Sequence, residues 1–154
     1  MNSFLNVFRK IFLNRWSKKL KNSVENDLTD LFLESVLKVM KFMLYIDSDF
    51  RKNIKSFNGR YAFKSRNGKI AASAVFRRSK MKVKRTAIAE KEANITVIFR
   101  NGQALRNFLF SKNPDVMGAI LNNDINTIGN LNYILKFGYM AKYLQTKYLL
   151  WLNV

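Results

Sequence analysis

The sequence predicts an α+β domain, on three observations. Apolar residues recur at helical steps as far as about residue 47, then alternate with polar ones from Gly59 to Phe99, and return to helical spacing from Leu131 onward. The alternating block holds four strand candidates, and a fifth, "DINTIG", stands just before the last helix. At 154 residues and 48% hydrophobic composition, the chain is long enough to bury one sizeable core.

The first element is a basic helix over residues 3–21. Phe4, Phe8, Phe12, Trp16 and Leu20 recur every four residues, and Arg9, Lys10, Arg15, Lys18, Lys19 and Lys21 face no acid. Residues 1–22 are therefore read as a separate amphipathic helix. Phe4, Phe8, Arg9, Lys10, Phe12 and Trp16 are its candidate membrane-contacting residues. The same stripe also suits packing on its own domain or on a second copy, so a homodimer through this helix stays open.

Residues 23–154 form the main domain. Its first helix runs from Ser23 to about Asp47, with a narrow polar strip of Asp27, Asp30, Glu34, Lys38 and Lys41 on an otherwise apolar cylinder. Acids early and lysines late suit the helix dipole, and a single polar strip means deep burial. From Gly59 the strands follow: Arg60–Arg66, a turn at Asn67-Gly68, Lys69–Phe76, Lys80–Ala89 and Asn94–Phe99. Along the third, Lys80, Lys82 and Lys84 share one face while Met81 and Val83 take the other. The strands therefore read as an antiparallel sheet with an apolar side and a basic side. "QALRNFLF" reads as a short helix, and Ser111 or Asn113 caps the next, with Pro114 at its first position. Asn130 caps the last helix, Leu131 to about Leu152.

Composition excludes several chemistries. There is no cysteine and no histidine, so the chain has no disulfide framework, no thiolate nucleophile, no histidine base and none of the usual zinc ligands. Tyr143 stands four residues before Lys147, the spacing of a short-chain dehydrogenase pair, but no glycine-rich dinucleotide loop precedes it. No catalytic residue, metal site or cofactor is expected, and the protein is read as a non-enzyme. The formal net charge of +18 is concentrated at residues 1–21 and at 51–92, where fourteen basic residues meet only Glu90 and Glu92. Such a surface suits a polyanion. Apolar runs are broken by lysines and no signal peptide is legible, so a cytoplasmic protein, peripheral on the inner face of a membrane, is expected.

The stretch "NITVIFRNGQALRNFLF", a strand running into a helix, and then "NPDVMGAILNNDINTIGN" resemble the sterol-carrier-protein-2-like, or nonspecific lipid-transfer, family. "GRYAFKSRNGKIAASAVF" is similar to that family's earlier hairpin, and the likeness covers roughly residues 24–145. Where many members place glycine before the last strand this chain has Asn122-Asn123; asparagine tolerates the left-handed conformation such a turn needs. The resemblance implies a five-stranded mixed sheet with helices over one face, enclosing an apolar cavity. The ligand it implies is fatty acyl, sterol, hopanoid or isoprenoid in type.

The last helix is apolar around most of its circumference, more than one sheet face requires. With the resemblance, that surplus places a cavity wall at Val97, Phe99, Leu105, Phe108, Leu109, Met117, Ile120, Ile128, Leu131, Ile134, Leu135 and Met140, with Asn132 or Tyr133 as a polar anchor. Burying a chain of about sixteen methylenes is worth roughly 12 kcal/mol gross, against association costs on the order of 4–15 kcal/mol. Lysines 80, 82 and 84 would meet anionic lipid. The alternative is a basic nucleic-acid-binding protein using Tyr61, Phe63 or Phe76 as stacking platforms; it is disfavoured because the strands segregate aromatic from basic side chains.

Overall fold

The computed structural model describes residues 2–25, 29–111 and 115–148. Two long helices, α1 (Asn2–Glu25) and α2 (Thr29–Ile46), precede a single turn, α3 (Ser48–Arg51). Then come β1 (Gly59–Ser65), β2 (Ala71–Arg77), β3 (Lys80–Lys84) and β4 (Ile95–Phe99), two short helices α4 (Gly102–Phe110) and α5 (Val116–Leu121), β5 (Ile125–Gly129) and α6 (Leu131–Tyr148). The strands form one sheet in the order β3-β2-β1-β4-β5. It is mixed rather than antiparallel throughout: β1 and β4 run parallel, and every other neighbouring pair is antiparallel.

Register decides which residues share a face. Tyr61 lies opposite Ala74 and Ile95, Phe63 opposite Ala72 and Val97, and Phe99 opposite Ile125. All are buried, and α2 and α6 cover them. The other face presents Arg60, Lys64, Arg77, Lys80, Lys82 and Lys84, as the alternation predicts. β3 is shorter than expected. Residues 85–94 leave the edge and cross the basic face, where Ser73 Oγ donates to Thr86 O at 2.8 Å and Lys64 pairs with Glu90 at 3.6 Å. This crossing lets β4 join β1 in parallel.

The turns follow local chemistry. Asn123 adopts φ 57°, the left-handed conformation expected of it. Gly129 has φ 118°, and a Cβ there would sit 2.3 Å from Asn94 O, so only glycine fits. Asn130 Oδ1 accepts from Asn132 N and starts α6 as predicted. The cap of α5 is Asp115, whose Oδ1 accepts from Gly118 N at 2.8 Å, rather than Ser111; Asn113 and Pro114 lie outside the described residues. The β2–β3 hairpin closes through Arg78 (φ 50°) and Ser79 (φ 61°), two non-glycine residues in the left-handed region.

α1 is not a free amphipathic arm. It packs along α2, with the Phe12 ring stacked on Phe42 at 3.6 Å and Leu20 buried. Phe12 and Trp16, assigned above to a membrane surface, are half-buried, Phe12 against Phe42 and Trp16 against the core. The reason is that α2 is apolar on two sides: one faces the sheet and the other needs a cover. Among the described side chains of α1, the exposed large apolar ones are Val7 and Ile11. Arg9 lies over the Tyr148 ring at 4.8 Å, and Lys10 stays exposed. The side chains of Phe4 and Phe8 lie outside the described part of the structure.

Candidate functional site

The covered sheet face and the helices over it meet in a largely apolar interior. β4 sends in Val97 and Phe99, α4 sends Leu105, Phe108 and Leu109, and α6 sends Ile134 and Met140, all seven buried. These expected wall residues meet. The ring at their centre is Phe137, which touches Phe63 (5.0 Å between centroids), Tyr61 (5.5 Å) and Phe108 (6.4 Å). Phe137, Tyr61 and Phe63 were absent from the expected wall. Their signal was present: Phe137 is three residues after Ile134 on the same helix face, and Tyr61 and Phe63 alternate on β1.

Four expected wall residues lie elsewhere. Ile128 is opposite Thr96, on the basic face, so it shares no wall with Val97 or Phe99. Leu131 and Leu135 follow each other up an exposed side of α6, continued by Tyr139, because α6 buries only the arc carrying Ile134, Phe137, Met140, Ala141 and Leu144. Met117 is 51% exposed, since α5 turns Val116 inward. Ile120 is half-buried against the core. Asn132 is exposed and reaches no interior, whereas Tyr133 is half-buried and its backbone oxygen accepts from Tyr61 OH at 2.8 Å. Burial, then the nearby Tyr133 phenol, hold the Tyr61 hydroxyl far above its ordinary pKa, so it remains a neutral donor. Ser35 Oγ is buried among the described residues without a hydrogen-bond partner.

One crevice opens between the helix layer and the sheet. It measures about 390 Å³, and Leu31 and Leu33 of α2 face Ala72 and Val83 across it. Its rim is charged: Arg85 Nη2 pairs with Glu34 at 3.0 Å. Partial desolvation there raises the Asp30 carboxyl, opposed by the Ala71 amide.

No protein-family model matches the chain, and no curated protein matches its sequence. Its architecture does match solved structures. A UbiJ-SCP2 ubiquinone synthesis protein superposes with a TM-score of 0.55 at 13% identity, over 71% of this chain and 92% of that one. Sterol carrier protein 2 from Yarrowia lipolytica, in its apo form, gives 0.57 at 14% identity over 75% and 91%. Sterol carrier protein domain 2 of Helicoverpa armigera gives 0.50 at 18% identity over 77% and 90%. The chain has the sterol-carrier-protein-2-like fold.

Within that sterol-carrier-like fold, the far end of α6 is clasped by one carboxylate. Asp47 Oδ2 accepts from Tyr148 OH, from Lys147 Nζ at 2.9 Å and from Tyr143 OH at 3.2 Å. Asp47 Oδ1 accepts from the Asp49 and Phe50 amides at 3.0 Å, capping α3. Burial alone would raise this carboxyl, but bonds from Tyr148, the Phe50 amide and Lys147, with the Lys147 charge, hold it well below the carboxylate range. Tyr148 is pushed up to about 12 by burial and by its bond to Asp47. Bonds to Tyr143 and Asp47 raise Lys147. The Tyr143–Lys147 pair is thus part of a structural clasp at 2.9 Å.

Two further features of the sterol-carrier-like scaffold bear on partners. Tyr61, Phe63 and Phe76 are at most 1% exposed, so they offer no stacking surface to a nucleic acid. Lys80, Lys82 and Lys84 are exposed as expected. Among the described residues no helix is long and apolar enough to cross a membrane.

Proposed function

We propose that this protein binds and carries an apolar lipid-like molecule, without catalysis, and docks peripherally on anionic membrane. One observation carries the reading: a sterol-carrier-like sheet whose covered face, with the inner sides of α4 and α6, is lined mainly by aliphatic, aromatic and methionine side chains, with Ser65 and Thr127 as its polar exceptions. The ligand chain lies along Phe108, Phe137 and Met140, entering by the crevice between α2 and β3. Flexible methionine and rotatable rings make room. Apolar contact with little polar anchoring makes such a carrier unselective, since each methylene discriminates only modestly.

Docking follows from charge. The basic sheet face and the exposed cations of α1, each worth on the order of 1 kcal/mol near an anionic leaflet, draw the carrier to its source of ligand. Native mass spectrometry after gentle purification tests carriage: a co-purified lipid mass supports it. A clean apo mass with no uptake of a fluorescent fatty acid overturns it. Flotation with vesicles tests docking, which is expected to require anionic lipid and to weaken with salt. Equal binding to neutral vesicles would contradict it.

A further inference from the structure

The basic face is not uniformly charged; it holds a groove. About 690 Å³ in volume, it runs across the end of the sheet where β1 begins and β2 ends, beside the start of α6. Four cations line it: Arg60, Arg77, Arg78 and Lys82. Arg60, Val75 and Lys82 are opposite one another on β1, β2 and β3, so the two charges flank one apolar residue. Arg77 lies two residues further along β2 on that same face. No carboxylate lines the groove, and none of these cations makes an ion pair among the described residues. Elsewhere on this face Lys64 does find an acid, Glu90.

The turn that brings Arg78 there is the second observation. A two-residue hairpin loop with both φ values positive strongly favours Asn-Gly. Here the pair is Arg78-Ser79, at φ 50° and 61°. The fold thus holds an arginine in a backbone conformation that disfavours it, beside three other cations that repel it. Strain kept at one spot together with uncompensated charge of one sign marks a place where a ligand supplies the missing partner.

We propose that this groove seats the phosphate of a membrane phospholipid headgroup, with the fork geometry of three arginines and Lys82 around the phosphate oxygens and Val75 and Tyr133 against the lipid's apolar part. The proposal rests on the docking half of the function above and is independent of carriage. A nucleic-acid strand fits less well, because it needs cations strung along successive phosphates with exposed rings between them. Here the cations converge, and Tyr133 is half-buried between Phe57 and Tyr61.

The test compares the parent protein, the double variant Arg60→Ala/Arg78→Asn, and a charge-matched control, Lys41→Ala/Lys69→Ala, whose residues are exposed and outside the groove. Vesicles of phosphatidylcholine with and without phosphatidic acid are the probe. At about fivefold per lost surface cation, the groove variant is expected to bind phosphatidic-acid vesicles at least 25-fold more weakly, and the control less than fivefold. Because asparagine suits the turn better than arginine, the groove variant is expected to melt no lower than the parent and to take up fluorescent fatty acid unchanged. Equal loss in both variants overturns the groove and leaves diffuse docking standing; no vesicle binding by the parent overturns docking itself. Displacement of the protein from vesicles by millimolar inorganic phosphate would show a free-anion site instead. Single-stranded RNA retention that drops in the groove variant while vesicle binding persists would assign the groove to nucleic acid.

Discussion

Lys147 Nζ donates to Asp47 Oδ2 at 2.9 Å, across a separation of 100 residues, and so ties the end of α6 to the corner between α2 and α3. With Tyr143 and Tyr148 on the same oxygen, that carboxylate holds down the last turns of the helix that roofs the apolar interior. Asp47→Ala strips three donors of their acceptor and removes the α3 cap, and is expected to cost about 2–4 kcal/mol in urea unfolding.

The same carboxylate gives a pH signature. Its folded pKa lies below the ordinary value, so the stability it contributes is complete above about pH 4 and drains as pH falls further. In Asp47→Asn this source of acid sensitivity is absent. Stability measured between pH 5 and pH 2 is expected to fall less steeply than in the parent; an equal slope would show that the clasp does not govern the acid limb.

Two glycines should respond in opposite ways. Gly129→Ala places a methyl 2.3 Å from Asn94 O at φ 118°, and is expected to cost about 2–4 kcal/mol. Gly138→Ala, mid-helix in α6, meets nothing nearer than Val116 Cγ2 at 3.7 Å, so it should be neutral or gain up to about 1 kcal/mol. Thermal melts of the pair decide this.

The crevice is testable by filling it. Val83 is half-buried on the edge strand at its wall. Val83→Trp is expected to slow or abolish uptake of a fluorescent fatty acid while costing no more than about 3 kcal/mol of stability. Uptake at the parent rate would place the entrance elsewhere.

Phe137 occupies the centre of the interior. Phe137→Leu removes ring volume at a cost of about 1–2 kcal/mol and enlarges the space under α6. If ligands lie there, fatty-acid affinity should hold or rise despite the lower stability, and a fall in affinity out of proportion to the melt would locate the ligand elsewhere.

Much of this was readable beforehand. Strand alternation named the basic face and its apolar counterpart because side chains change sides at each residue, whatever the partner strand. Asn123 and Asn130 signalled their turn and cap through chemistry confined to a few residues. The burial of Val97, Phe99, Leu105, Phe108 and Leu109 on β4 and α4 was legible because helix and strand periods each have one inward phase. The Phe12–Trp16–Leu20 stripe was legible as a stripe, but a periodic apolar face looks the same whether it meets lipid or α2.

What the sequence determined alone, then, was the element order, the two-sided sheet and the absence of thiol and imidazole chemistry. All three are properties of single residues or of local period. Tertiary structure alone decided that Ile128 faces the basic side while Ile125 faces inward, since β5 takes its phase from pairing with β4. It also decided that Asp47 and Lys147 meet, and that Arg60, Arg78 and Lys82 converge on one groove. Those pairings link residues far apart in the chain, and only register and packing bring such residues into reach.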